Sequence, residues 1–437
     1  MAILVGTVAL ACSSPVSTKT VGPEDTPQLE LKEEIAQVDR IAYVNANGDL
    51  ITVDPDGGEP ARLTGGLQAG QGSAGAIQGQ PLNLNEYYTW PTWSADGTKL
   101  AASRVVVSEN RAELSVQVMD ARTGRSETVY VNDQAALIAE GAPHYIYWAP
   151  TGDSLSFLAS APDGLSLLVW DGTPGRAADV IDRGAPLYYQ WSKDAGTMAL
   201  HVGADISLVT LPAEGGLRRS IGSAGGFRVP AISPDGSILA YVASDGGGMA
   251  LFVAPVDGLE QARKVMDVGL LSAFMWSPDG TQLAVADQPS PRVPYFNRLM
   301  LVPVADGPVV TLSAEQVMAF YWAPTGDKVA WVEVNSEVQE MEWVVSPSDG
   351  SGAKRLFSFQ PSGEVFIMLS FFDQYAHSHS PWSPDGKSLV VAGSKGEAAR
   401  RSNGRTPTGD RVYVLDVEGG AGPRDLGAGV LAFWSWN

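Results

Sequence analysis

The sequence has little positive charge, a single cysteine and no apolar run long enough to cross a membrane. Of its 437 residues, 29 are Lys or Arg and 49 are Asp or Glu, which gives a net charge of −20. A surface of this sign repels phosphate backbones and anionic lipid headgroups, so we expect no nucleic-acid partner and no charge-driven membrane adhesion. Cys12 has no second cysteine to pair with, which excludes an internal disulfide.

Several catalytic and cofactor-binding motifs are also missing. The chain has no Gly-x-Ser-x-Gly elbow of a serine hydrolase, no P-loop and no dinucleotide-binding fingerprint. We therefore expect no cofactor, and the sequence leaves the question of catalysis open. Glycoside hydrolysis needs two carboxylates at a defined separation, which a sequence does not show. Glu86, Glu364 and Asp373 are the first candidates for such a pair.

What the sequence does contain is an eight-residue phrase that recurs seven times. It reads WSADGTKL from Trp93, WAPTGDSL from Trp148, WSKDAGTM from Trp191, ISPDGSIL from Ile232, WSPDGTQL from Trp276, WAPTGDKV from Trp322 and WSPDGKSL from Trp382. A fragment, FWSWN, follows around Trp434, and successive anchors are 55, 43, 41, 44, 46, 60 and 52 residues apart. A period of about 40–50 residues with a strand–turn–strand unit is typical of propeller blades.

Each repeat contains four strand-like runs, as the repeat at Trp276 illustrates. Its predicted strands A to D are Ala273–Trp276, Leu283–Asp287, Arg298–Asp306 and Val309–Ser313. Between A and B, Ser277-Pro278-Asp279-Gly280 predicts a tight turn, because Pro presets φ, Asp caps the local backbone and Gly accepts a positive φ. The runs are almost continuously apolar, which suits sheets covered on both faces by neighbouring blades.

The two ends of the sequence predict how the ring closes. Ile41–Gly66 contains runs B, C and D without a preceding phrase, and Val430–Asn437 contains a run A with nothing after it. We predict that they combine into one composite blade, which hides both sheet edges. The predicted fold class is therefore all-β, an eight-bladed propeller of four-stranded antiparallel blades. Seven blades is the alternative, if the weak repeat at Ile232 or a terminal fragment is misassigned.

The phrase resembles the WD-like repeat of the TolB family, in which W-S-P-D-G precedes an apolar strand. It is also similar to the propeller domains of the prolyl oligopeptidase family, although no hydrolase domain follows it here. The resemblance covers about nine-tenths of the chain. It implies a propeller scaffold and, through TolB, a structural subunit of an envelope complex as one possible role. It implies no single activity, because propellers host many functions.

The N-terminal residues have the composition of an export signal. Ala2–Ala11 is uniformly apolar or small, and Ala9–Cys12 resembles a bacterial lipobox whose cysteine is lipidated. Ala9 departs from the usual Leu, and no Lys or Arg precedes the apolar run. We predict an export signal over residues 1–12, a flexible tether over 13–39 and one propeller over 40–437. A secreted protein, or a cytoplasmic protein with a frayed N-terminus, is the alternative.

The long insertions all fall in B–C and D–A connections, which share one face of the ring because turns alternate between the two ends of a sheet. They are Leu67–Asn85, Gln288–Asn297, Asn335–Glu340, Gln360–Pro381 and Ser394–Asp410. Long loops in a compact fold are often functional, so we predict that this loop-rich face binds the partner.

Aromatic and basic residues lead into the A strands at the same face, near the central channel. The candidate binding residues are Tyr87, Tyr88, His144, Tyr145, Tyr188, Arg228, Phe320, Tyr375, His377 and His379, with Tyr189, Phe227, Tyr321 and Phe372 beside them. Aromatic rims stack on sugars or hold peptide side chains, but they also pack between blades.

His377 and His379 have the i, i+2 spacing that puts two metal ligands on one face of a strand, yet no third ligand is evident, so we predict no metal site. The sequence favours a monomeric, lipid-anchored binding or scaffold protein of the cell envelope, with a protein, peptide or glycan as its partner. It would touch the membrane only through Cys12. A hydrolase or lyase with its site at the channel mouth is the alternative.

Overall fold

The structure is a computed structural model, and it describes residues 39–65, 85–108, 111–135, 141–162, 164–211, 216–223, 228–289, 295–335, 340–396 and 409–436. The predicted export signal, Cys12 and Phe227 lie outside these residues, as do all but Asp39 of the predicted tether and most of the predicted loops. Among the described residues, no helix is both long enough and apolar enough to span a membrane.

The described elements are almost all strands. In chain order, the first are β1 (Ile41–Asn45), β2 (Leu50–Val53), β3 (Ala61–Arg62), β4 (Glu86–Trp93), β5 (Lys99–Ser108), β6 (Arg111–Asp120), β7 (Ser126–Ala135), β8 (His144–Trp148), β9 (Leu155–Ala161), β10 (Gly164–Trp170) and β11 (Asp179–Gly184). The next are β12 (Leu187–Trp191), β13 (Thr197–Val202), β14 (Asp205–Thr210), β15 (Arg218–Ser223), β16 (Ala231–Ile232), β17 (Ile238–Asp245), β18 (Gly248–Pro255), a 3-10 turn (Leu259–Gln261) and β19 (Arg263–Val268).

The remaining elements include the two described α-helices. They are β20 (Ser272–Trp276), β21 (Gln282–Asp287), β22 (Arg298–Pro303), β23 (Val310–Ser313), β24 (Val317–Trp322), β25 (Lys328–Asn335), β26 (Glu340–Pro347), β27 (Lys354–Pro361), α1 (Gly363–Ser370), α2 (Phe372–Tyr375), β28 (Ser388–Lys395), β29 (Arg411–Asp416) and β30 (Arg424–Trp434). The strands of the illustrative repeat, β20 to β23, match the predicted A to D runs closely.

The strands pair antiparallel with their sequence neighbours, as an up-and-down blade requires. Strands β4 to β23 form five four-stranded sheets, and β24 to β30 join β1, β2 and β3 in a ten-stranded sheet. The predicted closure is present, because the second half of β30 pairs with β1 from Ile41↔Trp434 to Asn45↔Gly429. The all-β propeller prediction is confirmed. The count of eight blades stays a prediction, because the ten-stranded sheet is not divided into separate four-stranded blades.

The repeated phrase forms a turn whose side chains supply its own hydrogen bonds. The Ser277 hydroxyl donates to Asp279 Oδ1 (2.6 Å) and accepts from the Gln282 N–H (3.1 Å). Gly280 has φ +70° and donates its N–H to Ser277 O (2.9 Å). The same Ser-to-Asp bond recurs at Ser94/Asp96, Ser192/Asp194, Ser233/Asp235 and Ser383/Asp385. Each of these Asp side chains therefore stabilises its own turn.

We call the A strand of each blade, which lies next to the central channel, its inner strand. The anchor tryptophans connect successive inner strands through their indole N–H groups. Nε1 donates to a carbonyl oxygen on the inner strand before it: Trp148 to Thr92 (3.2 Å), Trp276 to Ala231 (2.9 Å), Trp382 to Tyr321 (3.1 Å) and, across the closure, Trp93 to Phe433 (3.4 Å). Ile232 has no such group, and there the Gln190 side chain accepts from the Ile232 N–H (2.6 Å) instead. The anchors thus combine core packing with a bond to the neighbouring inner strand.

Candidate functional site

The insertion predicted as a loop at Gln360–Pro381 is mostly helical, and we call residues 362–381 the plug. Strand β27 continues to Pro361 and is followed by α1 and α2. The Ser362 hydroxyl caps α1 by accepting from the Val365 N–H (3.1 Å). Val365, Met368 and Leu369 form its buried side. The sequence concealed this helix because eight residues carry little periodicity and apolar residues occur on several of its faces.

The plug lies within the central channel, because it contacts inner strands from around the ring. Phe372 packs against Phe320 of β24, with ring centroids 4.8 Å apart. His379 packs against Phe433 of β30, with centroids 4.5 Å apart. Helix α2 also contacts β12 and β20. A segment that touches strands this far apart in sequence fills the space around which those strands are arranged.

Tyr375 of the plug packs against aromatic residues of two strands. Its ring stacks on Trp90 of β4 with centroids 5.0 Å apart, and it meets Tyr145 of β8 edge-on at 5.6 Å. Both partners are in the left-handed region, with φ +54° for Trp90 and φ +50° for Tyr145, at irregularities in the pairing of β4 and β8. Such a conformation costs a bulky residue about 1–3 kcal/mol. Packing around Tyr375 offsets this cost.

Hydrogen bonds attach the plug to the same strands. The Thr92 hydroxyl donates to Ser378 O (2.9 Å), and Gln374 Nε2 donates to Leu187 O (3.3 Å). The Ser378 hydroxyl lies 2.6 Å from His379 Nδ1. The plug is therefore fixed by polar contacts as well as by ring packing.

Burial raises the pKa values of the two plug carboxyl groups. It raises the pKa of Asp373 to about 6, although the positive charge of Arg228 opposes the shift. It raises the pKa of Glu364 to about 7, and the charge of Asp410 adds to the effect. Glu86, the third carboxylate singled out from the sequence, forms an ion pair with Arg104 (2.7 Å). Each of the three carboxyl groups thus has a different charged neighbour.

Many of the candidate binding residues are covered. Tyr145, Phe320, Tyr375 and His379 are at most 2% exposed and pack together with the plug, and Tyr188 and Arg228 are 7% and 4% exposed. Tyr87, Tyr88, His144 and His377 keep intermediate exposure. A ligand from the loop-rich side would reach the covered group only if the plug moved.

The two histidines do not lie on a strand, so the i, i+2 argument for a shared face was wrong. They follow α2 in a turn and point to different surroundings. His377 stacks near Tyr147, with centroids 6.4 Å apart, while His379 is against Phe433. Burial lowers the pKa of His377 to about 4 and that of His379 to about 3. Within the described ranges, no group of three His, Cys, Asp or Glu side chains is arranged to hold a metal.

Sequence reasoning missed two cavities at the opposite, tight-turn end of the channel. Their volumes are about 310 Å³ and about 250 Å³, and His377 and Trp436 line both. Trp93 and Trp148 line the first cavity, and Trp276, Trp322, Trp382 and Trp434 line the second. The repeated phrase could have predicted these cavities. It places a Trp at the end of most inner strands, so the tryptophans meet at one end of the ring.

No family model matches the chain, and no curated protein sequence matches it. Solved structures do. A eukaryotic initiation factor aligns with 91% of this chain and 99% of its own at 13% identity and a TM-score of 0.52. TolB from Acinetobacter baumannii aligns with 78% of this chain and 84% of its own at 16% identity and a TM-score of 0.40. A prolyl endopeptidase aligns with 81% of this chain and 51% of its own at 13% identity and a TM-score of 0.49. The resemblance to TolB and prolyl oligopeptidase propellers is confirmed, and at these identities it shows the β-propeller fold alone.

Proposed function

We propose that this protein is an exported, lipid-anchored propeller that binds a protein partner at its loop-rich face. One observation carries the proposal. Helix α1 turns Phe366 and Ile367 outward, and Phe371 follows at its end; these side chains are 45%, 47% and 46% exposed. The inner side of α1 is buried in the channel, so the exposed side faces away from it. Exposed apolar clusters of this kind are typical of protein interaction sites.

The position of α1 supports the proposal. It follows β27 directly, so it lies at the end of the channel where the D–A connections run. The plug is fixed to several inner strands, and a rigid apolar surface loses little conformational entropy when it binds. Glu364 adds a carboxyl group to the same helix with a pKa of about 7. A basic residue of the partner beside it would favour the ionised form.

The choice of a protein rather than a glycan rests on the same side chains. Phe366 and Phe371 would suit either ligand, but Ile367 offers no planar ring for a sugar. A hydrolase or lyase needs acidic or histidine side chains converging in a cavity. Neither cavity at the tight-turn end is lined by Asp or Glu. We therefore propose binding rather than catalysis.

The test uses a photo-crosslinking amino acid in the full chain, expressed in its native cells. Placed at Phe366 or Phe371, it should yield a discrete crosslinked protein. Val131 on β7, which is 54% exposed, is the matched control and should not. The variant Phe366→Ser/Ile367→Ser/Phe371→Ser should no longer retain that protein on purification. Equal crosslinking from all three positions would contradict the proposal.

Anchoring is tested separately. Cys12→Ser should move the protein from the membrane fraction to the soluble envelope fraction and remove any lipid from its mass. An unchanged distribution would contradict the lipid anchor without affecting the binding proposal.

A further inference from the structure

The two cavities at the tight-turn end share a wall and carry no charge. His377 and Trp436 line both, so the cavities adjoin each other at these side chains. The other lining residues are tryptophans, a few further apolar residues, turn residues such as Pro150 and Pro324, and a few neutral hydroxyl groups. Burying a charged ligand among these groups would cost its hydration without a compensating ion pair. The site therefore fits a neutral ligand.

The wide aromatic surfaces favour a flat ligand. Trp436 is 38% exposed, and its indole Nε1 donates to Trp93 O (3.0 Å), which orients the ring beside the first cavity. Aromatic rings bind other rings best by offset or edge-on stacking, with centroids roughly 4.5–7 Å apart. Volumes of about 310 Å³ and about 250 Å³ suit a small molecule.

One hydrogen-bond donor at the floor of the site is fixed by its neighbours. The Ile232 N–H donates to Gln190 Oε1 (2.6 Å), so the opposite atom of that amide, Nε2, faces the His377 ring. Gln190 Nε2 lies 3.2 Å from His377 Nε2 and is a donor, so His377 Nε2 must accept. The proton of the neutral imidazole is then on Nδ1.

This N–H is available to a ligand. No residue in the described part of the chain accepts a hydrogen bond from His377 Nδ1. Burial keeps the pKa of His377 near 4, so the ring is neutral at neutral pH. The wall shared by both cavities thus presents a neutral donor, beside the few hydroxyl groups of the otherwise apolar lining.

We propose that the cavities around His377 and Trp436 bind a small, neutral, planar molecule that carries one hydrogen-bond acceptor. Its ring lies against the indole of Trp436, and its acceptor receives the His377 Nδ1 proton. The site is at the opposite end of the channel from the exposed face of α1, so it is independent of the proposed protein-binding surface.

Three naphthalene derivatives that differ in one substituent test the charge requirement. The neutral naphthalene-1-carboxamide should bind at least about tenfold more tightly than the anionic 1-carboxylate or the cationic 1-methylammonium compound, because each ion loses hydration in an uncharged site. Titration calorimetry gives the affinities, and ligand-observed NMR detects weak binding. Binding of either ion as tightly as the amide, or no detectable binding of the amide at millimolar concentration, overturns the proposal.

Two variants and one control test the residues. Trp436→Ala should weaken amide binding at least about tenfold, and Phe366→Ala, with similar exposure at the other end of the channel, should leave it unchanged. His377→Phe keeps a ring beside Tyr147 but removes the donor, so the amide should lose its advantage over 1-methylnaphthalene. Melting curves establish that each variant folds. Equal effects of Trp436→Ala and Phe366→Ala, or an amide advantage that survives in His377→Phe, refute the assignment.

Discussion

The carboxyl groups at the two ends of the channel have pKa values that are shifted in opposite directions. At the tight-turn end, the Ser277 hydroxyl lowers the pKa of Asp279, and the equivalent bond from Ser233 helps to lower that of Asp235 to about 2. In the plug, burial raises the pKa of Asp373 to about 6 and that of Glu364 to about 7. The repeated turn supplies hydrogen-bond donors to its own Asp, whereas the carboxyl groups of the plug are enclosed by the surrounding strands and lose contact with water instead.

This difference predicts opposite responses to pH. A carboxyl group with a lowered folded-state pKa contributes stability above its unfolded pKa, and that stability is lost as pH falls through the folded value. A carboxyl group with a raised folded-state pKa favours the folded state while it is protonated, and that contribution is lost as pH rises through the folded value. The turns therefore favour neutral pH, and the plug favours mildly acidic pH.

The largest loss of stability should come from replacing an anchor tryptophan at the tight-turn end of the channel. Trp276 is 7% exposed, and its indole donates to Ala231 O. Trp276→Ala should lower the free energy of unfolding by about 3–5 kcal/mol, since it leaves a cavity and an unpaired carbonyl. Chemical denaturation measures this change. Leu270→Ala, at a side chain that is 76% exposed, is the control and should cost less than about 1 kcal/mol. A cost near zero for Trp276→Ala would show that the anchor does not hold the blades together.

The next effect concerns the plug and its pH dependence. Asp373→Asn removes the group whose pKa rises from 3.8 to about 6. Relative to the wild type, the variant should gain about 3 kcal/mol of unfolding free energy between about pH 4 and pH 7, because a shift of about two units corresponds to that energy. Denaturation at a series of pH values measures the difference.

Asp279→Asn is the matched control, with the opposite sign. It should lose stability relative to the wild type near neutral pH, and the difference should shrink as pH falls below about 4. Parallel pH curves for Asp373→Asn and the wild type would show that Asp373 is not buried in a charged state at neutral pH.

A smaller effect is expected from the polar part of the repeated turn. Ser277→Ala removes the donor to Asp279 and the acceptor for the Gln282 N–H, while the backbone turn can persist. We expect a loss of about 1 kcal/mol in unfolding free energy, as for a lost helix cap. Ser370→Ala, on an exposed residue at the end of α1, should change the melting temperature little. A cost of 3 kcal/mol or more at Ser277 would mean that the turn is not the local unit described above.

The smallest effect should follow removal of an insertion that no described strand needs. Strand β28 extends to Lys395, so the deletable segment is residues 397–408 rather than the whole of Ser394–Asp410. Replacing it with a short Gly-Ser turn should leave the melting temperature nearly unchanged, since loop length affects stability only weakly. Replacing residues 363–374 in the same way should lower it clearly, because that deletion removes α1 and most of α2 from the plug. Equal losses from both deletions would contradict this contrast.

The sequence predicted those parts of the fold that repeat. The phrase at Trp276 predicted strands β20 and β21 and the turn between them, and the fragment at Trp434 predicted the pairing of β30 with β1. These inferences succeed because each depends on local residues and on a periodicity that many copies support. Of the aromatic residues before the phrases, Tyr145 and Phe320 pack against the plug.

The plug could not be predicted in the same way. Helix α1 has only eight residues, and its stability depends on packing against β24 and β30, which belong to other parts of the sheet. The left-handed conformations of Trp90 and Tyr145 occur at irregularities in strand pairing. Neither position has a residue such as Gly or Asn that would have indicated a positive φ in the sequence. His377 gains its fixed proton position from Gln190 and Ile232, which only the folded ring brings together.

The pairing of β1 with β30 constrains the order in which the parts of this protein can fold. Ile41 is synthesised long before its partner Trp434, so β1 has no strand on that side while the residues between them are being made. Contacts between such distant residues form slowly. A nascent chain would therefore expose the free edge of β1 until β30 emerges, and this is the stage at which a chaperone would be most useful.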